Sequence, residues 1–410
     1  MARPLDGIRV LEVAQYTFVP SGAAILADWG AEVIKIEHAE HGDAQRGLIQ
    51  VLGLDVAGPG VNFFPIMEGP NRGKRSVGLT LGSPEATEIL HQLLQDCDVF
   101  VTNFLPDARR KAGIDVDQIQ AVNPGIIHVR GSGWGALGPE RESGGYDSIS
   151  FWARSGAAHA LTASDADRLA GMPTGAYGDN LGGLTIAGGV AAALLKRERT
   201  GEASVVDVSL LAVGAWATQY GSNLAMVLGG ELPPMGHQAP GAPRNPVAGN
   251  YQTKDGRWIQ LNMLQPGKYW PEMCRVLGRS ELSTDERFAD AASVFNNGAQ
   301  AAAILAEEFA KKTYEEWLEI LRHMDGQWGG VQSVWELSQD ASLRANGLVA
   351  KIVDSDGVAR ELIQSPVLFD NDPPTLIRAP QFAEHTDEVL SELGISEDTL
   401  LELKLAGIVT

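Results

Sequence analysis

The chain has 410 residues, of which 44% are hydrophobic, and its formal net charge is −20. This length predicts about two or three domains, and the acidic balance argues against nucleic acid as the main partner. Two cysteines without a CxxC pair argue against a disulfide framework or a zinc knuckle. The sequence shows no signal-peptide pattern and no long apolar run, so we expect a cytoplasmic protein without a membrane partner.

The first 210 residues alternate between strand and helix patterns. Helical segments separate the strands; one closes at Gly30, and another begins with Ser83 as N-cap and Pro84 as first helical residue. Strands separated by helices predict parallel βαβ units, and therefore an α/β fold with a Rossmann-like, doubly wound parallel sheet. The predicted strands are 8–14, 32–37, 74–81, 98–104, 125–131 and 204–211.

The pattern changes after about residue 220. Asp255–Gly256 predicts a hairpin turn, and Thr313 and Glu316 have the spacing of a capping box at the start of a helix. This segment therefore predicts a smaller α+β domain. Further helical patterns lie near 268–277, 298–311, 387–393 and 397–405.

Several common ligand motifs are missing from the sequence. The first strand–helix turn has no GxGxxG, and the chain contains no GxxxxGK[ST] and no GxSxG. His38 and His41 lie close to Asp43, but a solvated polar loop explains them better than a metal site does. We therefore expect neither a dinucleotide site at the first turn nor a metal site.

Two basic segments, NRGKRS (71–76) and ARRK (108–111), lie next to predicted strand ends. Ligands of open α/β sheets bind outside the carboxyl ends of the strands. Asn103–Phe104 ends such a strand, so Phe104 could stack on an adenine while nearby cations hold phosphates. A solvated charged face is the alternative, and on composition alone it is favoured.

The segment PTGAYGDNLGGL, residues 173–184, surrounds one carboxylate, Asp179, with glycine. The pattern predicts a helix over roughly 180–198, with Asp179 as its N-cap. An ordinary capping acid is one interpretation, and the residues alone favour it. The other is a covalent nucleophile that the helix N-terminus keeps ionised and that the glycines leave open to a bulky electrophile.

Segments in order along nearly the whole chain resemble the family III CoA-transferases, which include formyl-CoA, carnitine and bile-acid CoA-transferases. Each segment is weak alone, but their order and spacing together identify the chain as a member. The segments are PLDGIRVLEVA, LADWGAEVIKIE, NRGKRSVGLTL, VFVTNF, GYDSISFWARSG, GDNLGGL, YQTKDGRWIQLN and APQFAEHTDEVLSELG.

The resemblance implies that Asp179 is the catalytic residue. It would attack an acyl-CoA thioester to give a mixed anhydride and free CoA thiolate, and the thiolate would return to form an aspartyl-CoA thioester. A carboxylic acid acceptor would then take the CoA. Coenzyme A is therefore expected as a substrate, with no tightly bound cofactor.

The resemblance also implies the CoA-binding residues. Lys111 and His38 stand where the family often has arginine, and His38 puts a strong 3′-phosphate clamp in doubt because histidine is only partly charged at pH 7. Thr17 replaces a glutamine of the formyl-CoA transferases, so formyl or oxalyl specificity is not expected. The expected CoA-binding set is His38, Arg72, Lys74, Arg75, Asn103, Phe104, Lys111 and Tyr146.

Two other functions stay open. The α-methylacyl-CoA racemases of the same superfamily resemble GHDxxY where this chain has Gly145–Tyr146–Asp147, so the position of their histidine base is Tyr146 here. A non-catalytic CoA-binding protein is the second alternative, and the intact Asp179 segment argues against it.

The resemblance finally implies an interlocked homodimer of elongated rings. It joins residues 1–210 and 335–410 in a large CoA-binding domain and makes 225–325 a small domain. Residues 211–224 and 326–334 are then linkers.

Overall fold

The computed structural model describes residues 3–48, 50–51, 54–55, 63–233 and 244–410. The chain divides into two units, the first formed by 1–235 with 342–410 and the second by 236–341. Residues 234–243 of the predicted small domain lie outside the described residues. The predicted boundaries themselves stay a prediction, although the expected linker 211–224 is largely helical.

A six-stranded parallel sheet forms the centre of the first unit, in the order β5-β2-β1-β6-β7-β8. The order reverses between β1 and β6, as it does in dinucleotide-binding sheets. The predicted α/β class and parallel sheet are thus confirmed. The strands up to this point are β1 (Arg9–Val13), β2 (Glu32–Glu37), β3 (Gln50–Val51), β4 (Leu54–Asp55), β5 (Lys74–Gly78), β6 (Val99–Thr102), β7 (Ile127–Ser132) and β8 (Val205–Ser209).

Helices cover both faces of this sheet. Alternate strand residues point to opposite faces, so that Val10 packs in one core cluster with α1 and α7 while its neighbour Leu11 packs in another with α3. Ser83 caps α3 by accepting from Ala86 N at 3.0 Å, as the sequence predicts. The helices are α1 (Phe18–Asp28), α2 (Pro65–Asn71), α3 (Pro84–Gln95), α4 (Pro106–Ala112), α5 (Val116–Val122), α6 (Ala157–Leu161), α7 (Tyr177–Thr200), α8 (Leu210–Ala217) and α9 (Gln219–Leu228).

The second unit has its own core around a three-stranded antiparallel sheet. The predicted hairpin at Asp255–Gly256 joins β9 to β10, and Gly256 adopts a φ of 77°. The predicted capping box of Thr313 and Glu316 begins α13. The elements are β9 (Asn250–Gln252), β10 (Trp258–Leu261), α10 (Pro266–Val276), α11 (Ala291–Asn296), α12 (Gly298–Phe309), α13 (Tyr314–Leu321), β11 (Trp328–Gly330) and α14 (Val334–Gln339).

The C-terminal residues return to the first unit. Val389, Leu390, Leu400 and Leu403 join the core cluster on the α3 face of the parallel sheet. The elements are α15 (Ala341–Ala345), β12 (Val349–Val353), β13 (Ala359–Ile363), α16 (Thr386–Glu392) and α17 (Glu397–Leu405). Within the described part of the chain, no helix is both long and apolar enough to cross a membrane. The expected cytoplasmic location stays a prediction.

Candidate active site

A cavity of about 510 Å³ opens at the carboxyl ends of β1, β6 and β7. This is the point where the strand order reverses, which is the usual ligand position in an open α/β sheet. Each strand contributes the residues that follow it, and the N-terminal turn of α7 contributes Asp179. Lining residues include Gln15, Tyr16, Phe18, Asn103, Phe104, Arg109, Arg130, Gly133, Arg141, Tyr146, Asp179, Asp207 and Leu210.

Asp179 lies inside the first turn of α7 and does not cap it. The helix begins at Tyr177, and the N-cap position is Ala176, whose φ is 59°. The predicted start at 180 and the N-cap assignment of Asp179 are therefore wrong. Among the described residues, no group donates a hydrogen bond to the Asp179 carboxylate, so the capping interpretation no longer accounts for it.

The carboxyl group of Asp179 stays protonated up to a higher pH than that of an ordinary aspartate. Burial, together with the negative charge of Asp147, raises the pKa of Asp179 to about 7. We expected the helix N-terminus to keep this carboxylate ionised; burial and the like charge of Asp147 act in the opposite direction. Near neutral pH the group therefore exchanges between its protonated and ionised forms.

Asp147, which precedes α7 in the chain, caps the N-terminus of that helix. Its side chain is buried, and its Oδ2 accepts a hydrogen bond from Gly178 N at 3.3 Å. Burial raises the pKa of Asp147 despite hydrogen bonds from the backbone of Ser148, Gly178 and Asp179. A π-helical turn, Ser148–Ala153, follows immediately and fixes the position of this carboxylate.

Glycines allow α7 to pack directly against α1 beside the cavity. A Cβ on Gly183 would lie 2.0 Å from Ser21 Oγ, and one on Gly182 would lie 2.3 Å from the Phe18 ring. Ser21 Oγ in turn lies 2.9 Å from Phe18 O and 3.3 Å from the backbone oxygen of Asp179. The close approach therefore fixes the first turn of α7, and Asp179 with it, against the start of α1.

Tyr16 and Tyr146 form an aromatic contact at the cavity. Tyr16 has a φ of 63°, a left-handed conformation that costs a non-glycine residue about 1–2 kcal/mol. Its ring meets the ring of Tyr146 edge-on, with 5.6 Å between centroids. A hydrogen bond between the two side chains and partial burial raise the pKa of Tyr16. Two separate walls of the cavity are joined through this pair.

The structure brings Asn103 and Phe104, both expected to bind CoA, into the same cavity as Asp179 and Tyr146. Asn103 binds the backbone of Gln15 on the neighbouring wall. Its Nδ2 donates to Gln15 O at 2.6 Å, and its Oδ1 accepts from Gln15 N at 3.0 Å. Phe104 is held by Arg109, whose Nη1 donates to Phe104 O at 2.9 Å. Their predicted contacts with CoA stay a prediction.

The cations of segment 71–76 lie elsewhere and are already paired. Arg72 forms a buried ion pair with Asp28 at 2.6 Å, and Lys74 forms one with Glu12 at 2.5 Å. Neither lines the cavity, and both side chains are inaccessible to a ligand in this conformation. Their expected contribution to a CoA groove therefore finds no support in their placement.

Three further expected CoA-binding residues also lie away from the cavity lining. Arg75 pairs with three carboxylates, those of Glu32, Glu388 and Glu392, at 2.7 to 2.9 Å. His38 stacks on His41, with 4.7 Å between ring centroids. Lys111 is 76% exposed and pairs with Asp107 at 2.7 Å. A role of these residues in CoA binding stays a prediction.

Three arginines line the cavity, Arg109, Arg130 and Arg141. Arg109 belongs to the basic segment 108–111 noted in the sequence, whereas Arg130 and Arg141 were not selected from it. Arg130 pairs with Asp207 at 2.7 Å, and both residues line the cavity. The Arg141 side chain is 58% exposed and lies 3.5 Å from Glu142. Arg130 lies in the last half of β7, two residues before Ser132, so the rule that ligands bind at strand ends was the signal that could have identified it.

Comparisons with known proteins agree along the whole chain. The sequence profile described as CoA-transferase family III matches residues 5–386. The (R)-2-hydroxy-4-methylpentanoate CoA-transferase of Clostridioides difficile is 33% identical over 99% of both chains. The cinnamoyl-CoA:phenyllactate CoA-transferase of Clostridium sporogenes is 29% identical over 97% of this chain and 95% of its own. Among solved structures, a CaiB/BaiF family protein from Brucella suis has a TM-score of 0.79 at 27% identity, covering 96% of this chain and 100% of the other.

Proposed function

Because the chain belongs to CoA-transferase family III and is a transferase of acyl-CoA metabolism, we propose that it moves CoA from an acyl-CoA donor to a carboxylic acid through intermediates on Asp179. The observation that carries the proposal is the state of this carboxylate. It lines the cavity, is half-buried, and accepts no hydrogen bond from the described residues. A structural aspartate would have such a partner.

The proposed reaction is a sequence of acyl transfers with no net proton change. The Asp179 carboxylate attacks the thioester carbonyl, the C–S bond breaks, and CoA leaves as thiolate from a mixed anhydride. The thiolate attacks the aspartyl carbonyl of the anhydride, which releases the donor carboxylate and leaves an aspartyl-CoA thioester. The acceptor carboxylate attacks the carbonyl of this thioester, which releases CoA thiolate and forms a second mixed anhydride. The thiolate then attacks the acyl carbon of the acceptor, which forms the new acyl-CoA and frees the Asp179 carboxylate.

The surroundings of Asp179 support this chemistry. A carboxylate that burial has stripped of hydrogen bonds is a stronger nucleophile once ionised, because no donor has to be removed from it. Anhydrides and thioesters hydrolyse in water, so the close packing of α1 on α7 at Gly182 and Gly183, beside Asp179, suits such intermediates. The racemase alternative has no comparable support, since Tyr146 occupies the position of the histidine base.

We extend the proposal to the substrate class: acids with a branched aliphatic or aromatic side chain, with 2-hydroxy acids first among them. Tyr16, Phe18, Tyr146 and Leu210 give the cavity an apolar surface that suits such side chains. Two relatives are named for 2-hydroxy-4-methylpentanoate and phenyllactate. A panel of acceptors should therefore give faster transfer to these acids than to formate, oxalate or succinate.

The test of the mechanism is Asp179→Asn, which keeps the side-chain volume. Transfer between an aromatic or branched acyl-CoA and a panel acid should fall by roughly 10⁴-fold, as for other deleted nucleophiles. The variant should fold, because no described hydrogen bond depends on this carboxylate. Mass spectrometry of the wild type after incubation with acyl-CoA should show a CoA adduct on the peptide that contains Asp179.

Asp147→Asn is the matched control, since it changes the neighbouring carboxylate in the same way. It should retain far more activity than Asp179→Asn. Near-normal transfer by Asp179→Asn, with an inactive Asp147→Asn, would mean that the nucleophile is misassigned. Exchange of the α-proton of an acyl-CoA with solvent deuterium, without any CoA transfer, would instead support the racemase alternative.

We also propose that the protein acts as a homodimer of interlocked chains. The family resemblance suggests the arrangement, and α9 supports an interface, because none of its residues is buried within the chain. Tyr220, Met226 and Val227 on this helix are 87%, 72% and 83% exposed. Apolar side chains exposed in such numbers on one helix are typical of a protein–protein contact.

A further inference from the structure

Four buried charged side chains lie beside the β1–α1 turn, which we define as residues 14–17, and two of them, Lys35 and Asp43, bond to its backbone. The full set is Glu12, Lys35, Asp43 and Lys74, and all four side chains are 0% exposed. Lys35 Nζ lies 2.7 Å from Glu12 Oε1 and 2.9 Å from Asp43 Oδ2, while Lys74 Nζ lies 2.5 Å from Glu12 Oε2. We call this set the buried charge cluster. Its formal charges sum to zero.

The buried charge cluster binds the backbone at two points within the turn and at one point after it. Lys35 Nζ donates to Ala14 O at 2.9 Å, and Lys74 Nζ donates to Pro20 O at 2.9 Å. Between these points, Tyr16 N donates to Asp43 Oδ1 at 3.0 Å. The same Asp43 oxygen also accepts from Gln45 N at 2.9 Å. Three backbone groups around Tyr16 are thus tied to one group of side chains.

Stability alone is a poor explanation for this arrangement. Burying four charges is costly, and apolar residues of similar volume often stabilise a fold equally well or better. The cluster instead fixes one backbone geometry that would otherwise relax, because Tyr16 is an aromatic residue in the left-handed region. The residue it constrains is the one that lines the cavity and contacts Tyr146.

We propose that Asp43 is a positioning residue of the transfer site, which fixes Tyr16 through its backbone N–H and thereby fixes the cavity wall formed by Tyr16 and Tyr146. The inference rests on the proposed function, to which it adds a residue outside the cavity. Asp43 itself does not line the cavity and acts through Tyr16. The reacting acyl group, and not the adenosine end near Phe104, is the part of the substrate that this wall would orient.

The test is Asp43→Asn, followed through the rate of aspartyl-CoA adduct formation in a single turnover. Asparagine has one side-chain oxygen, so its NH₂ group must face either Lys35 or the Tyr16 N–H. The adduct rate and kcat should fall by about 10- to 100-fold, as for small displacements of reacting groups. The Kd for free CoA should stay close to the wild-type value, because Asn103 and Phe104 are unchanged.

The double variant Lys35→Met, Asp43→Asn separates positioning from charge. It removes the Lys35 ammonium, which competes with Tyr16 N for the single side-chain oxygen of Asn. That oxygen can then accept from Tyr16 N again, and the remaining pair of Glu12 and Lys74 still carries no net charge. This variant should recover most of the lost rate. It also allows the inference to be tested if Asp43→Asn alone does not fold, because its cluster is neutral. A double variant as slow as Asp43→Asn would overturn the inference.

Asp28→Asn is the structural control, since Asp28 also belongs to a buried ion pair but does not contact the β1–α1 turn. It should lower the melting temperature without lowering the adduct rate. Equal rate losses in Asp28→Asn and Asp43→Asn would overturn the positioning role. If wild-type enzyme forms no adduct on Asp179, the proposed function fails; if it forms one and Asp43→Asn forms it equally fast, only the present inference fails.

Discussion

At the level of single residues, Asp147 affects two properties of Asp179. Its carboxylate accepts from the backbone at the start of α7, which sets the position of the helix, and its charge contributes to the raised pKa of Asp179. These two effects can be separated, because asparagine retains a side-chain oxygen and loses the charge. The variant Asp147→Asn is therefore informative beyond its use as a control.

We predict that kcat/KM for CoA transfer rises with pH, with an inflection near 7. The proposed nucleophile is the ionised form, and the pKa of Asp179 is about 7, so activity is lost as the pH falls below that value. In Asp147→Asn the inflection should move to lower pH, because a like charge has been removed while burial remains. Initial rates between pH 5 and 9 give both curves.

Asp117→Asn, which changes an exposed carboxylate on α5, is the control for this measurement. Its pH profile should coincide with that of the wild type. An unshifted inflection in Asp147→Asn would show that Asp147 does not influence the titrating group. An inflection that moves equally in both variants would show that the effect is one of overall charge.

At the level of elements, the contact between α1 and α7 depends on particular glycines. We predict that Gly183→Ala lowers the free energy of unfolding by about 1–3 kcal/mol, because the new Cβ would lie 2.0 Å from Ser21 Oγ and force the helices apart. Transfer activity should fall as well, since Asp179 lies one turn earlier on the same helix. Urea denaturation and initial rates measure the two effects.

Gly188→Ala on the same helix is the matched control. A Cβ at this position meets no atom within 4 Å. Alanine should therefore raise the free energy of unfolding by about 0.5–1 kcal/mol, through its better helix propensity, and leave activity unchanged. If both variants destabilise the protein to the same extent, close packing at Gly183 is not the cause.

Local sequence patterns predicted the positions of helices and strands well, but they did not predict contacts between residues far apart in the chain. β2 matches the predicted range 32–37, and the Ser83 and Thr313 caps were correct, because each signal lies within a few residues of its effect. The start of α7 was wrong because its cap comes from Asp147, 31 residues before Gly178. No local pattern contains such a contact.

The same limit explains the predicted binding residues. Arg72 and Lys74 look like free cations in the sequence, but their carboxylate partners lie 44 and 62 residues earlier in the chain. Asn103 and Phe104 follow a strand directly, and the rule for strand ends placed them correctly at the cavity, as it would have placed Arg130. Position relative to a strand was thus a better guide than charge.

At the scale of the whole molecule, a net charge of −20 would repel an anionic ligand such as CoA. Screening limits this repulsion, because the Debye length at physiological ionic strength is about 8 Å. Charges within the cavity therefore matter more than the total. Arg141 lines the cavity with an exposed side chain, so its charge can offset the surrounding acids.

The exposed apolar residues of α9 predict a homodimer in solution. A dimer in solution should have twice the 43.7 kDa mass of the chain in light scattering at micromolar concentration, and Val227→Glu on α9 should shift it towards the monomer. A charge at the centre of a buried apolar contact is costly, whereas the same charge on a free surface costs little. Leu405→Glu is the control, because Leu405 is also 80% exposed but lies at the end of α17. A wild-type monomer would contradict the dimer, and a Val227→Glu variant that stays dimeric would place the interface away from α9.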